Sequence, residues 1–535
     1  MFSRSHWILC SVYQSAIIPL TCGLSLICSM CLSQTPNDNL DLPDSLIVVA
    51  YQHAVNQNVL AAVNPDIFFG YFSVCADGKG FGVGNTYPSL DGHQMTDALL
   101  WLDQVDVVKA NWDYVKSFQR PDGQLPLAIL PSEAGKMIGP ENFQVSVDPN
   151  GGLYRHWVPG NPLRALAGTT YIQNADVIFR HSQDLKWLLH ELPSINLTAN
   201  YLASLVTEEG AVNGAGYYIE RPTRIEYDGV SACQSADAFH QVSELNKIGG
   251  HSRQAWIYED LACRIETFFR TRFWLSDHFA EYIHPERGII SAHGLTDVDW
   301  SSIALNVATA EQEATLWPKL KNESRFYYKG MPTGIATLPS TYEKWESTYH
   351  DVMDLAAMGR VWYNESMARA KMSDADGLIE TIRRVCSEGR KNGYYWRERY
   401  NDEGGYGAEK YCEYPANLIR IIQRFLMGVE HGPDGTLFLG PVAPEEFWKI
   451  GFGQSLSWHG RRISYKMIAD QIIGEYSGKK PQLLYVRFQN PDLGKIGHVS
   501  INGKTSGSQS REGWITVLLP EASIEKPARF KIRLH

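Results

Sequence analysis

The sequence predicts a mainly α fold, a closed ring of helical hairpins followed by a small C-terminal β-sandwich. Three observations carry this. Apolar residues recur at steps of three and four through most of the chain between 45 and 429, the period of helices with one buried face. The helical stretches follow one another in pairs without strands between them. After about residue 436 the period falls to two, as in strands with one buried face. The 535 residues are 44% hydrophobic and include 15 Trp, 27 Tyr and 20 Phe, ample for a large core.

In chain order, residues 1–34 stand apart. Arg4 gives a positive start, and no charged residue lies between Trp7 and Gln34. This reads as a secretory signal segment, which implies a secreted or periplasmic protein. The stretch is also long enough for a membrane anchor, although Pro19 and Gly23 weaken that reading. Cys10, Cys22, Cys28 and Cys31 lie within it. Cys75, Cys233, Cys263, Cys386 and Cys412 are scattered without a C-x-x-C pair, so no zinc ribbon is indicated.

The clearest helix is expected at 97–119, where Trp101, Val105, Val108, Trp112 and Val115 form one stripe before Pro121-Asp122-Gly123 stops it. Others are expected at 251–270 and 416–429, and near 45–62, 177–190, 195–208, 234–247, 300–320, 351–371 and 375–388. Long loops fall at 64–94, 130–175, 209–232 and 389–415, and loops of such length in a compact domain are usually functional. Alternation in Ile463-Ser464-Tyr465-Lys466-Met467 and Phe530-Lys531-Ile532-Arg533-Leu534 marks strands, with Asn502-Gly503 as a hairpin turn. The domain boundaries expected are 1–34, 35–435 and 436–535.

A net charge of −10 without a basic run argues against nucleic acid as a partner. Chemistry is sought where carboxylates stand among aromatics in loops that enter helices. Three segments qualify: Tyr87 to Gln94, with Asp91 and His93; Arg224 to Ser231, with Glu226 and Asp228; and Tyr394 to Glu413, with Trp396, Glu409, Tyr411 and Glu413. If hairpins alternate around a ring, all three enter from one end. Glycoside cleavage wants this pairing, one protonated carboxyl for the leaving oxygen and one carboxylate for attack or for activating water. Bland readings stand beside it. Asp91 suits a helix cap, Glu226 or Asp228 suits a pair with Arg224, and Glu409 suits a surface pair with Lys410. Glu343-Lys344-Trp345-Glu346 is a fourth carboxylate segment, read as a charged helix start. His93 has no partner at metal-ligand spacing, so neither metal nor cofactor is expected.

At this point the chain resembles the six-hairpin, (α/α)6-barrel glycosidases, and among them the α-L-rhamnosidase type, over roughly residues 85 to 470. The segment from Tyr87 through Gln119-Arg120-Pro121-Asp122-Gly123-Gln124-Leu125-Pro126 is similar to their first catalytic-domain segment. Ile248 to Tyr258 resembles their LGK-x-x-x-A-x-x-Y stretch. Gly407-Ala408-Glu409-Lys410-Tyr411 resembles their W-E-R-W motif, whose Glu is the catalytic base, although Ala408 and Tyr411 replace its tryptophans. Gly435 to Phe447 resembles the link to a C-terminal sandwich. Leu90-Asp91-Gly92-His93-Gln94 stands where rhamnosidases carry a Glu followed by Gly-Trp. In related enzymes the acid lies in the third-hairpin loop, the place of Glu226 and Asp228.

The resemblance implies an (α/α)6 toroid and an inverting glycoside hydrolase acting on a carbohydrate, and with the leader at 1–34 the leading reading is an exported, exo-acting one. Glu409 is then the base and Asp228 the acid, with Glu226 and Asp91 as alternatives. His93, Arg224, Trp396, Tyr411 and Glu413 are expected on the substrate. A polysaccharide lyase on a similar toroid and a non-catalytic glycan-binding protein are the competing readings.

Overall fold

The computed structural model describes residues 40–79, 86–129, 144–147, 153–156, 163–214, 216–217, 227–346, 355–401, 404–488, 496–511 and 513–534. Its principal helices are α1 (Ser45–His53), α2 (Leu90–Trp101), α3 (Val105–Lys116), α4 (Leu166–Ser182), α5 (Leu185–Ser204), α6 (Gly229–Ile248), α7 (Ser252–Arg272), α8 (Asp297–Ala304), α9 (Ala310–Leu320), α10 (Gly359–Lys371), α11 (Ala375–Lys391) and α12 (Glu413–Ile421). Helix α2 packs on α4, α4 on α6, α6 on α8, α8 on α10 and α10 on α12, and α12 returns to α2. These six are buried on nearly every side: α8 and α12 are buried at every residue, and α2 at every residue but Asp91. Helices α3, α5, α7 and α11 bury only one stripe, such as Val108, Asn111, Trp112 and Val115. A helix apolar all round belongs inside, and one with a single apolar stripe lies against it from outside.

The expected helix at 97–119 is two helices. Asp103 turns left-handed at φ 58°, and the N–H groups of Leu102 and Asp103 return to the carbonyls of Leu99 and Leu100. Trp101 therefore ends α2, while Val105 to Val115 belong to α3. The turn is so short that the apolar period runs across it unbroken. Gln183, at φ 52°, likewise cuts the expected helix at 177–190, and Asp184 then caps α5 by accepting the Trp187 N–H at 3.0 Å. The stretch 300–320 holds α8 and α9, separated at Asn306, φ 59°. The loop expected at 130–175 contains a short antiparallel pair, Gln144–Val147 with Leu153–His156, and α4 begins within it.

The C-terminal part is sheet. Five strands, Gln509–Arg511, Trp514–Leu519, Gln482–Val486, Leu437–Leu439 and Val429–His431, form one sheet in that spatial order. A second has seven, including Phe452–Trp458, Arg461–Ile468, Gln471–Ser477 and Ala528–Leu534. Alternate residues such as Ile463, Tyr465 and Met467 are buried in the shared core. Asn502 and Gly503, both at positive φ, make the expected tight turn between Ile496–Ile501 and Lys504–Thr505. One edge strand of the seven is Leu40–Asp41, whose Leu40 pairs with Gln454. Residues 40–41 therefore lie with the sheet and not with the helices they precede. All five described cysteines are free thiols, and only Cys263 is exposed. Among the described residues no helix is long and apolar enough to cross a membrane. The expected leader at 1–34 lies outside them.

Candidate active site

Alternate helices of a hairpin series run the same way, so α2, α4, α6, α8, α10 and α12 begin at one end of the cycle. Four of these starts carry a carboxylate: Asp91 in the first turn of α2, Asp228 as the cap of α6, Asp297 opening α8 and Glu413 opening α12. Unpaired N–H groups and the positive end of the helix dipole favour acids there. Asp228 is fully buried and accepts the Ser231 N–H at 2.8 Å. Helix α10 reverses the rule by opening with Arg360. The guanidinium reaches Glu413 through Nε (2.7 Å to Oε1) and Nη2 (3.0 Å to Oε2), and Asp91 Oδ1 at 3.2 Å. The Tyr411 hydroxyl donates to the same Asp91 oxygen at 2.6 Å. Burial pushes the Glu413 carboxyl up, and Arg360 opposes it. Burial and the charge of Asp91 hold the Tyr411 hydroxyl well above its ordinary range. Gly359 permits this approach, since a Cβ there would stand 2.9 Å from Glu413 Cγ.

A second cluster lies beside the entry to α6. The strand Tyr227–Asp228 pairs with Tyr282–His284, which pairs with Gly288–Ile289. Next to it the buried His293 ring bridges two acids, with Nδ1 on Glu281 and Nε2 3.0 Å from Glu346 Oε1. Tyr342 stacks on this ring at 3.7 Å and donates to Glu281 Oε2 at 2.6 Å. Tyr282 donates to Glu346 Oε1 at 2.5 Å. Burial would raise Glu346, but hydrogen bonds from His293, Tyr282 and the Glu343 N–H prevail and hold it down at about 2. Its Oε2 accepts that N–H at 2.7 Å. The expected helix start at 343–346 is thus a single 3-10 turn, Lys344–Glu346. It leaves Glu343 exposed, one carboxylate oxygen taking the Trp345 indole N–H at 2.5 Å.

Within the cycle lies a cavity of about 230 Å³ lined by all six inner helices. His93 faces it, with Nδ1 2.7 Å from Asn174 Oδ1; burial, reinforced by Arg420, lowers its pKa to about 4. Asp97 is held by Arg420 (2.7 Å) and Arg424 (2.7 Å). Asp237 accepts from Gln241 at 2.9 Å, and burial raises its pKa to about 6.

The structure thus brings Asp91, Tyr411 and Glu413 into one hydrogen-bonded cluster with Arg360, sets Asp228 as the cap of α6, and turns His93 to the cavity that Arg360 also lines. Tyr411 and Glu413 are buried in hydrogen bonds of their own. Trp396 departs from expectation: only 1% exposed, it donates its indole N–H to Val385 O at 3.0 Å and packs against Gly389, so it is core and not a platform for a sugar. Glu409 has its side chain 69% exposed and pairs with Arg397 at 2.6 Å rather than with Lys410. Arg224 and Glu226 lie outside the described residues. Sequence reading missed Arg360 and His293. Arg360 left no signal, since the helix expected at 351–371 put it in mid-helix; only the observed start at Gly359 sets it in the first turn, where the dipole disfavours a cation unless acids surround it.

No family model and no curated protein matches the sequence. Solved structures do. The rhamnosidase of Bacillus sp. GL1 superposes with a TM-score of 0.59 at 12% identity over 80% of this chain and 40% of that one. The α-L-rhamnosidase from Dictyoglumus thermophilum gives 0.59 at 12% identity, covering 92% and 50%. That of Streptomyces avermitilis, complexed with L-rhamnose, gives 0.54 at 12%, covering 92% and 42%. This chain spans two fifths to half the length of those enzymes. What they share with it is the fold, and they are enzymes of the rhamnosidase type that the sequence resembles.

Proposed function

We propose that the chain is a glycoside hydrolase whose six inner helices form an (α/α)6 toroid with the active site at their N-terminal mouth. The observation that carries this is the gathering of carboxylates there, Asp91, Asp228, Asp297 and Glu413 on the helix starts and Glu343 on the adjoining turn. The acid comes from the entry to α6, Asp228 or its neighbour Glu226. Glu343 is favoured as base over Glu409, since its turn is pinned by Glu346 and its carboxylate oriented by an indole N–H, whereas Glu409 is neutralised by Arg397. Inversion would set acid and base roughly 6.5–9.5 Å apart. The finer features, exo-action, a rhamnosidase-like substrate and export, rest on the sequence resemblance and on residues 1–34. Abundant carboxylates at this mouth favour hydrolysis over a lyase, whose site would be ruled by Tyr, His and Arg.

The test is a hydrolysis screen over aryl glycosides and oligosaccharides with wild type, Glu343→Gln, Glu409→Gln and Asp228→Asn. Turnover that falls at least a hundredfold in Glu343→Gln and little in Glu409→Gln is expected, general acid–base catalysis being worth roughly 10²–10⁴-fold. Absence of turnover on every glycoside, or full activity in all three variants, overturns the reading.

A further inference from the structure

The hairpin beside the entry to α6 presents a cation that pairs with no carboxylate of the described residues. It runs from Tyr282–His284 through Pro285 and Glu286 to Gly288–Ile289, with Gly288 at φ 71°. At its tip Arg287 is exposed, and its guanidinium carbon lies 4.1 Å from the centroid of the Trp345 ring. No carboxylate pairs with it among the described residues. Arg360, at the start of α10, is by contrast consumed by Asp91 and Glu413. His284 completes the group, its ring edge-on to Trp345 with centroids 5.3 Å apart. His284 Nδ1 accepts the N–H groups of Glu286 (3.1 Å) and Arg287 (3.2 Å). A nitrogen that accepts carries no proton, so the ring proton sits on Nε2 and is available to donate. The same Trp345 turns its indole N–H to Glu343 at 2.5 Å. One tryptophan therefore joins the free guanidinium, the imidazole and the favoured base.

We propose that Arg287, His284 and Trp345 form a subsite for an anionic sugar of the uronate class, seated beside Glu343. The inference rests on the glycosidase reading of this mouth. Its chemistry is specific. A guanidinium lying on an indole is oriented in advance and weakly hydrated, and it offers paired N–H donors that match the two oxygens of a carboxylate. Acidic groups surround the site, among them Asp228, Glu281, Glu343 and Glu346, in a protein of net charge −10. An anionic sugar would be repelled from such a mouth unless a fixed cation met it, and Arg287 stands there unspent. A neutral sugar would leave that cation facing only solvent.

Calorimetric titration of the full chain with D-glucuronate and D-galacturonate, beside D-glucose and D-galactose, tests this. Each uronate is expected to bind at least about tenfold more tightly than its neutral parent, a charge-assisted pair supplying that difference. In Arg287→Gln the uronate-to-neutral ratio should collapse toward one, with an unchanged melting temperature showing that the exposed substitution leaves the fold intact. Equal binding of uronate and parent by wild type, or a ratio that survives Arg287→Gln, overturns the proposal. Galactose 6-sulfate serves as the other arm. If it is preferred over galacturonate in an Arg287-dependent way, the uronate assignment falls in favour of a sulfated sugar. Hydrolysis of neutral glycosides without uronate preference would sink the subsite and leave the enzyme reading standing. Arg287-dependent uronate binding without turnover of any glycoside would do the reverse.

Discussion

Arg360 and Glu413 meet in a two-pronged contact, Nε to Oε1 at 2.7 Å and Nη2 to Oε2 at 3.0 Å, with both side chains almost wholly buried. The contact ties the start of α10 to the start of α12, and Asp91 adds α2.

Removing the cation should therefore cost more than the pair contributes. Arg360→Met would leave the buried Glu413 and the partly buried Asp91 without a counter-charge, a loss of about 3–5 kcal/mol. Thermal unfolding followed by calorimetry should show it. Adding Glu413→Gln to Arg360→Met should restore part of the loss. A melting temperature unmoved by Arg360→Met would mean that this contact does not hold the mouth together.

Acid should weaken the molecule through its buried imidazoles. Burial lowers His93 from 6.5 to about 4 and His181 to about 3. Between pH 6.5 and 4 the unfolded chain takes up protons that the folded chain refuses, so stability is full above 6.5 and falls as pH drops, by about 3 kcal/mol for each group. His181 lies edge-on to Trp101 at 4.5 Å, so His181→Phe keeps the aromatic packing while deleting one titration. Melting temperatures from pH 7 to 4 should fall less steeply in that variant. Identical slopes would count against the account.

Asp237 works in the opposite sense. Burial raises it from 3.8 to about 6, so the folded protein holds a proton that the unfolded chain has released, and its contribution to stability declines as pH rises through that window. Asp237→Asn keeps an acceptor for the Gln173 and Gln241 amides and removes the charge. It should stabilise by about 2–3 kcal/mol at pH 7 and by well under about 1 kcal/mol at pH 4, as read from urea unfolding at the two pH values. Equal stabilisation at both would refute the linkage.

The helical character, the change to sheet near 436 and the Asn502-Gly503 turn were legible because each leaves a period or a turn residue in the sequence. Helix ends were not. Asp103 and Gln183 break helices through a left-handed backbone angle that apolar periodicity does not record. Trp396 misled because an aromatic beside acidic residues reads the same whether it faces a sugar or, as here, Gly389. The three candidate loops were rightly read as leading into helices, which is why Asp91, Asp228 and Glu413 all stand at helix starts. Their division of labour was hidden, since it depends on Arg360 and His293, brought close by chain segments far apart in sequence.

The strand Leu40–Asp41 gives the molecule a mechanical character. Residues 40 and 534 belong to one sheet, so tension applied between them loads strand pairings before it reaches any helix of the cycle. The weakest link is the two-residue pairing of Leu40 and Asp41 with Gln454 and Gly453, backed by Arg383 of α11, which grips Asp44 and Glu446 together. Once it lets go, α1 peels from α11, while the cycle from α2 to α12 is still closed on itself. The sheet thus acts as a buckle that shields the mouth from strain arriving along the chain.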